Sequence, residues 1–168
     1  MSIRTTVVVT LFIIIGANAD KTSITISNAA LVSDNGNNCV QDGAINRCTV
    51  RRGEITTFQG VLNIDGGKYT LLGVDPILIT LEWTKKELGK VVRRTRLCQK
   101  VGGDVQIEGG CGVTIMAGGH YRLVPFPVKI PELEQTVRTY FRALATARWT
   151  DGSISAEKEI GRCEVIIE

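Results

Sequence analysis

Apolar and polar residues alternate along several stretches of the chain, and this pattern predicts β-strands. The two-residue period begins with Ile24 and Ile26 in a short first strand, returns between residues 55 and 64, and is clearest in residues 77–84. In this third stretch one face carries the polar residues, Glu82 among them. The opposite face carries four bulky apolar side chains: Ile77, Ile79, Leu81 and Trp83.

Turn signals between these stretches predict an all-β fold. Residues 87–90 form a hairpin turn into a strand that ends at Cys98, and the last strand covers residues 163–168. The chain has 18 glycines and 4 prolines, and its glycine-rich breaks separate short strands. Such spacing is typical of a β-sandwich or a barrel. No internal repeat or low-complexity linker interrupts the pattern, so we expect one domain.

Residues 131–149 fit both a helix and a strand. As a helix, the segment begins with Pro131, has acids in its first turn, and carries one apolar stripe of Leu133, Val137, Phe141 and Leu144. As a strand, it separates two kinds of side chain. One face would then hold Val137, Phe141, Ala143, Ala145, Ala147 and Trp149, and the other Arg138, Tyr140, Arg142, Thr146 and Arg148. Local propensity slightly favours the helix, and the residues alone leave both interpretations open.

The segment from residue 98 to residue 128 predicts the rim of a pocket. Its second half is rich in bulky apolar residues, and Pro125 and Pro127 each lack the N–H that a strand donates. That strand is therefore expected at a sheet edge or at a bulge. Cys98 and Cys111 would close a loop beside it.

Five cysteines point to disulfides in an exported chain. Cys39 with Cys48, and Cys98 with Cys111, each flank a polar, glycine-containing segment that suits a stapled hairpin or loop. Closing loops this short stabilises by about 2–3 kcal/mol each in the chain-entropy account. Cys163 is then unpaired. A zinc site is disfavoured because the spacings do not match short C-x-x-C pairs and the chain has 1 histidine, so we expect no metal and no cofactor.

Residues 1–19 are typical of a secretory signal peptide. Arg4 supplies the positive region, residues 7–15 the apolar core, and Ala17-Asn18-Ala19 the cleavage pattern. The core is shorter than the roughly 20 residues that span a bilayer. The alternative interpretation is a buried strand. We expect residues 20–168 to form the mature domain, secreted to the extracellular space or delivered to the endolysosomal lumen.

Charge gives little direct information about partners. Cleavage after Ala19 would remove Arg4, one of 20 basic residues, and none of the 17 acidic ones, which leaves a net charge of +2. General attraction to nucleic acid is not implied. Basic residues cluster, however, at Lys85, Lys86, Lys90, Arg93, Arg94, Arg96 and Lys100. Such a run is usually a solvated face; the alternative is a basic collar that meets anionic lipid headgroups or a membrane surface.

Catalytic residues are not indicated. His120 is the one histidine, and its place beside Gly118-Gly119 is typical of an exposed turn residue rather than a base. Cys163 has no basic partner in the sequence pattern, so a structural or solvent-shielded thiol is the better interpretation. No phosphate-binding loop, dinucleotide fingerprint or HExxH motif is present. We therefore expect a binding protein and not an enzyme.

Several motifs, in order, resemble the ML lipid-recognition domain family, which includes the soluble Niemann–Pick type C sterol carrier and the mite group-two allergens. The first is Cys48-Thr-Val-Arg-Arg-Gly53, a cysteine followed five residues later by glycine before a strand. The paired Cys98 and Cys111 come next, and then the strand Gly119…Tyr121…Pro127-Val128. Trp149-Thr-Asp-Gly152, leading to Cys163-Glu-Val-Ile, completes the series. The resemblance covers roughly residue 39 to the C-terminus.

The resemblance implies an immunoglobulin-like β-sandwich of two antiparallel sheets with an apolar cavity between them. It also implies that residues 137–150 form a strand, and that the protein binds a sterol, a fatty acid or a related amphiphile. From the alternation and the resemblance, the expected lining is Phe58, Leu62, Ile79, Leu81, Trp83, Tyr121, Leu123, Phe126, Val128, Phe141 and Trp149. Ordinary core packing would use the same side chains. The alternative function is a secreted β-sandwich that binds a receptor protein, or senses lipid as a co-receptor in innate immunity.

Three features depart from the family pattern. Family members usually carry a cysteine near the mature N-terminus that pairs with the C-terminal one, and residues 20–38 contain none. Cys163 therefore lacks its usual partner, which puts the anchoring of the first strand in doubt. The loop between Cys98 and Cys111 is longer than in the sterol-carrier branch, and the stretch between Val128 and Trp149 is extended. The sterol preference of that branch is therefore not transferred.

Overall fold

The computed structural model describes residues 23–36, 38–65, 77–89, 91–97, 107–108, 118–149 and 151–168. This part of the chain is all-β, with no α-helix and one 3-10 helix at Lys86–Leu88. None of the described residues belongs to a helix long and apolar enough to cross a membrane. The strands are β1 (Ser23–Ser33), β2 (Cys39–Asp42), β3 (Ile45–Val50), β4 (Ile55–Asp65), β5 (Ile77–Trp83), β6 (Val91–Arg96), β7 (His120–Arg122), β8 (Phe126–Lys129), β9 (Val137–Ala147) and β10 (Lys158–Ile167).

The strands form two sheets. In sheet A, β4 pairs with β1 on one side and with β7 and β8 on the other, always antiparallel. Sheet B has the order β2-β3-β10-β9-β5-β6. Its pairs are antiparallel except that β3 and β10 run parallel, which corrects the expectation of two purely antiparallel sheets. Parallel neighbours need a long connection, and most of the domain lies between β3 and β10.

The ambiguous segment forms a strand, so the helical interpretation is wrong from Val137 onward. β9 is central in sheet B because β5 pairs with one of its edges and β10 with the other. Residues 131–136 that precede it have no regular structure. Two neighbours satisfy the backbone groups of β9, and one face of the strand is buried from Thr139 to Ala147. This tertiary pairing overrides the slight helical propensity.

Pro125 and Pro127 lie along the edge of sheet A, as predicted. The chain runs along β4 first as β7 and then as β8, and pairing is interrupted at Val124 and Pro125. Pro127 lies within β8, which has β4 as its partner among the described residues. Ile107 bridges to Leu123, and the Glu108 amide donates to the Arg122 carbonyl at 2.8 Å. Part of the loop between Cys98 and Cys111 therefore runs beside this edge.

The first predicted disulfide is confirmed. Cys39 and Cys48 face each other across the β2–β3 hairpin and are bonded. The hairpin turns at Gly43, whose φ of 62° lies in the left-handed region that glycine adopts without strain. The pair Cys98 and Cys111 and the predicted signal peptide, residues 1–19, lie outside the described residues.

Candidate functional site

The inner faces of the two sheets meet through aromatic side chains. Phe58 of β4 and Phe141 of β9 have ring centroids 5.4 Å apart, although they belong to different sheets. Trp83 of β5 packs edge-on against Phe141 within sheet B, at 4.8 Å between centroids. All three side chains are buried. Alternation places them inward, since apolar residues at every second position of a strand share one face.

The predicted lining residues all belong to this interior. Ten of them are buried, and Tyr121 is partly buried and packs against the same cluster. The ten are Phe58, Leu62, Ile79, Leu81, Trp83, Leu123, Phe126, Val128, Phe141 and Trp149. Burial brings them together but does not separate lining from ordinary packing, so their contact with a lipid stays a prediction.

At β1 the two sheets are in contact, and two glycines allow this close approach. Ile26 of β1 lies over Gly60 of β4, where an added Cβ would come 2.6 Å from Ile26 Cγ2. It also lies against Gly161 of β10, in the other sheet, where a Cβ would come 2.8 Å from both the Cβ and the carbonyl oxygen of Ile26. Real Cβ atoms do not approach so closely, so the sheets meet here only because both positions lack a side chain.

Small side chains occupy the middle of sheet B. The inward face of β9 carries Ala143, Ala145 and Ala147, all buried, with Phe141 before them and Trp149 after them. They are paired with inward residues of β5, which places the three alanines side by side with Leu81, Ile79 and Ile77. Among these inward positions, the alanines contribute least to filling the space between the sheets.

At the other end of the interior, away from β1, an arginine points inward. Arg93 of β6 is paired directly with Leu81 of β5, and directly opposed residues of an antiparallel pair share one face of the sheet. Its guanidinium carbon lies 5.0 Å from the ring centroid of Phe126, which belongs to β8 in sheet A. Arg93 thus connects the two sheets where β6 faces β8. The sequence pattern does not reveal this position, because Arg93 falls within a run of basic residues of the kind that usually forms a solvated face.

The rest of the basic cluster has a different position. Lys85, Lys86, Arg94 and Arg96 are exposed, and Lys90 and Lys100 lie outside the described residues. Arg94 is paired with Thr80 of β5, so it occupies the outer face of sheet B, opposite to the side that Arg93 takes. The cluster therefore divides into one inward residue and several surface residues.

Ion pairs cover the outer face of sheet B. Glu82 is only 2% exposed, and Arg142 Nε donates to it at 2.8 Å. Glu164 accepts from Arg47 Nε at 2.8 Å and pairs with Arg138 Nε at 2.5 Å. The hydrogen bond from Arg47 holds the pKa of Glu164 below its ordinary value; burial opposes the shift and the charge of Arg138 reinforces it. The polar face of the central strands is thus more buried than alternation alone predicts.

The two candidate reactive residues differ in their exposure to solvent. His120 is exposed at the start of β7, and its Nδ1 is 2.7 Å from the amide oxygen of Asn63. Cys163 is a free thiol and fully buried, as the sequence predicts. Burial raises the pKa of Cys163 to about 12, which keeps the thiol protonated at neutral pH. Within the described residues, no group of three or more His, Cys, Asp or Glu side chains could hold a metal ion.

Two surface pockets lie outside the interior. One, of about 280 Å³, is bordered by Ser33, Asn38, Arg51, Glu54 and Glu168, among other residues. The other, of about 310 Å³, is bordered by Asn28, Gln59, Glu108, Arg122 and Leu123, among others. The border of the first pocket is mainly polar, and that of the second mixes polar and apolar residues. Leu123 is the one predicted lining residue that reaches either of them.

No protein-family model matches the chain, and a search of curated proteins gives no significant match.

Proposed function

We propose that this protein is an exported lipid-binding protein that holds one amphiphile, such as a fatty acid or a sterol, between its two sheets. In this proposal the fold is an immunoglobulin-like β-sandwich with an apolar cavity. The observation that carries the proposal is the strip of Ala143, Ala145 and Ala147 on the central strand of sheet B, bounded by Phe141 and Trp149. Small residues at that place reduce the side-chain volume where an alkyl chain or ring system would lie.

The unequal sides of the interior support the same function. At β1 the sheets are in contact through Ile26, Gly60 and Gly161, so no ligand enters there. At β6 and β8 the facing residues are Arg93 and Phe126, which belong to different sheets and share no backbone ladder. Two sheets joined on one side and separable on the other can enclose a ligand without breaking strand pairing.

Binding would be driven by the hydrophobic effect. Each Å² of apolar ligand surface removed from water contributes about 25 cal/mol. The interior supplies partly or fully buried aromatic rings at Phe58, Trp83, Tyr121, Phe126 and Phe141. A few polar groups at the opening would orient the headgroup. Binding of this kind requires no catalytic residue, which fits the exposed position of His120 and the shielded thiol of Cys163.

Export is part of the proposal. The Cys39–Cys48 disulfide fits an oxidising compartment, and residues 1–19 have the pattern of a signal peptide. Exposed basic residues at Lys85, Lys86 and Arg94 would favour transient contact with an anionic membrane while lipid is exchanged.

Native mass spectrometry of the secreted protein, with lipid extraction and titration by a fluorescent fatty acid and a fluorescent sterol, tests the proposal. We expect a co-purified amphiphile, or saturable uptake of at least one probe at a ratio of about one per chain. If the protein carries no lipid and binds neither probe, the carrier function is wrong. The protein-binding alternative would then be preferred.

A further inference from the structure

Pairs of adjacent basic residues occur at three places in the chain, and their surroundings differ. The pairs are Arg51-Arg52, Lys85-Lys86 and Arg93-Arg94. A trypsin-like serine protease cleaves after lysine or arginine, because an aspartate in its primary specificity pocket binds the cationic side chain. Cleavage also requires that the backbone around the bond leave its own pairing and enter the active site of the protease. The surroundings of each pair therefore determine whether the folded protein is cleaved there.

Two of the pairs have a backbone that is engaged in the fold. Arg93 and Arg94 lie within β6, where both are paired with residues of β5. The amide of Arg52 donates to the Glu168 carbonyl at 3.0 Å, and its guanidinium donates to the Glu134 carbonyl at 3.3 Å. Cleavage at either arginine pair therefore requires a strand, or contacts between distant segments, to open first.

The third pair lies in the turn between β5 and β6, where the side chains of Lys85, Lys86 and Glu87 are all exposed. Lys85 is already extended, with φ of −85° and ψ of 125°. Two backbone hydrogen bonds close the turn, from the Leu88 amide to the Lys85 carbonyl at 3.2 Å and from the Gly89 amide to the Lys86 carbonyl at 3.1 Å. Because Leu88 is the one buried residue of this turn, the turn can open locally while both sheets stay paired. Exposed turns of this kind are preferred sites of proteolytic nicking.

We propose that the Lys85-Lys86 pair is a processing site for a trypsin-like serine protease, which cuts the chain there into two pieces that stay folded as one molecule. Hydrolysis after Lys86 breaks the peptide bond to Glu87. Water supplies the hydroxyl of the new carboxyl group and the proton that the new amino group gains. Processing at this turn is independent of lipid binding and would add a second, two-chain form of the protein.

The topology joins the two pieces through both sheets. The first piece holds β1 to β5 and the second holds β6 to β10. Ladders between the pieces therefore pair β3 with β10, β4 with β7 and β8, and β5 with β6 and β9. The ring contact between Phe58 and Phe141 also connects them. Cys39 and Cys48, the two cysteines of the first piece, are bonded to each other, so the pieces are held together by noncovalent contacts.

Limited digestion of the full secreted chain with trypsin tests the proposal. Samples are taken over time from the folded protein and from the reduced and unfolded chain, and the masses of the pieces give the positions of the cuts. The double variant Lys85→Gln/Lys86→Gln removes the pair. Arg94→Gln is the matched control, because it removes one basic residue from the same hairpin and leaves the lysine pair intact.

We expect cleavage of the folded protein after Lys85 or Lys86 to be at least about tenfold faster than cleavage at either arginine pair, because a turn opens more readily than a strand. The double variant should no longer give these two pieces under native conditions, and Arg94→Gln should still give them. In size-exclusion chromatography the cleaved protein should elute as one species at the position of the uncut protein. It should separate into two pieces in denaturant.

Three results would overturn the proposal, and they can be distinguished. If the folded protein stays uncut at the lysine pair while the unfolded chain is cut there, the turn is not accessible to the protease. Equal rates at all three basic pairs indicate unfolding of the whole domain instead of a site. Separation of the pieces without denaturant rejects the two-chain form. All three results are obtained with the unaltered protein, so they do not depend on the folding of any variant.

Discussion

Replacement of Ala145 by leucine tests whether the space between the sheets is open. Ala145 is 4% exposed, is paired with Ile79, and lies at the centre of the alanine strip. Leucine adds three carbon atoms at an inward position. If these atoms enter an apolar cavity, they gain about 0.8 kcal/mol for each methylene removed from water, or about 2 kcal/mol in total. If the interior is already filled, overpacking costs about 1–3 kcal/mol instead.

The two cases differ in the sign of the change in the free energy of unfolding, and two measurements distinguish them. Urea unfolding gives the free energy of unfolding, and titration with a fluorescent fatty acid gives the affinity. The lipid-binding hypothesis predicts that Ala145→Leu is as stable as the unaltered protein or more stable, and binds the probe at least about tenfold more weakly because the added side chain occupies its place. Thr146→Leu, on the outer face of the same strand, controls for the effect of leucine on β9. A loss of about 2 kcal/mol without any change in probe binding would refute the hypothesis.

Three further predictions follow from the described contacts. Cys163, with its pKa raised to about 12 by burial, should resist thiol reagents at neutral pH and react fully only in denaturant; a disulfide-linked dimer on a non-reducing gel would contradict this. Arg47 lowers the pKa of Glu164 in the folded state. The resulting stabilisation is therefore present above the unfolded-state pKa near 4.5, and it is lost as the pH falls through the lower folded-state pKa. Glu164→Gln should therefore flatten the decline in urea midpoint below about pH 4.5, and an unchanged decline would reject the coupling. Gly161→Ala should lower the free energy of unfolding by about 1–3 kcal/mol because its Cβ would meet the Ile26 backbone, and near-neutral stability would show that the sheets are not in contact there.

Alternation predicted the strands well wherever one face of a strand is apolar and its register is regular. The segment from Ile55 to Ile64 lies within β4, and residues 77–83 form β5 with the four named apolar side chains inward. Turn chemistry at Gly43 and the positions of Pro125 and Pro127 likewise indicated a hairpin and an outer strand. These features are local in sequence, so local reasoning can detect them.

Features that depend on contacts between residues far apart in the chain were not predicted from the sequence. β1 continues to Ser33, well beyond Ile26. The sequence did not predict this length, because a bulge between Ser27 and Ala30 shifts the register of the strand and interrupts the alternation of apolar and polar residues. Asn28 takes a φ of 55° in that bulge. Glu82 is buried because Arg142, sixty residues further along the chain, lies over it. The inward direction of Arg93 follows from its pairing with Leu81, which no local pattern specifies.

The absence of an N-terminal cysteine in residues 20–38 raised the question of how the first strand is held. Packing provides the answer among the described residues. β1 pairs with β4 from Ser23 to Ser33, and Asn46 Nδ2 donates to the Ala29 carbonyl at 3.0 Å. Ile26 is also fixed between two glycines. This side of the molecule is therefore closed without a disulfide to Cys163.

Closure at β1 has a consequence for ligand access. Opening the sheets there would expose Ile26 and Leu31 to water and break the hydrogen bond from Asn46 of β3 to the Ala29 carbonyl of β1, so the cost would include both apolar burial and a hydrogen bond between the sheets. At the other side of the interior, β6 and β8 belong to different sheets, and a contact between them is the one between Arg93 and Phe126. A cation–π contact of this kind is worth about 0.5–2 kcal/mol. If the protein binds a lipid as proposed, the lipid should enter between β6 and β8, because the contacts of Ile26 close the side at β1.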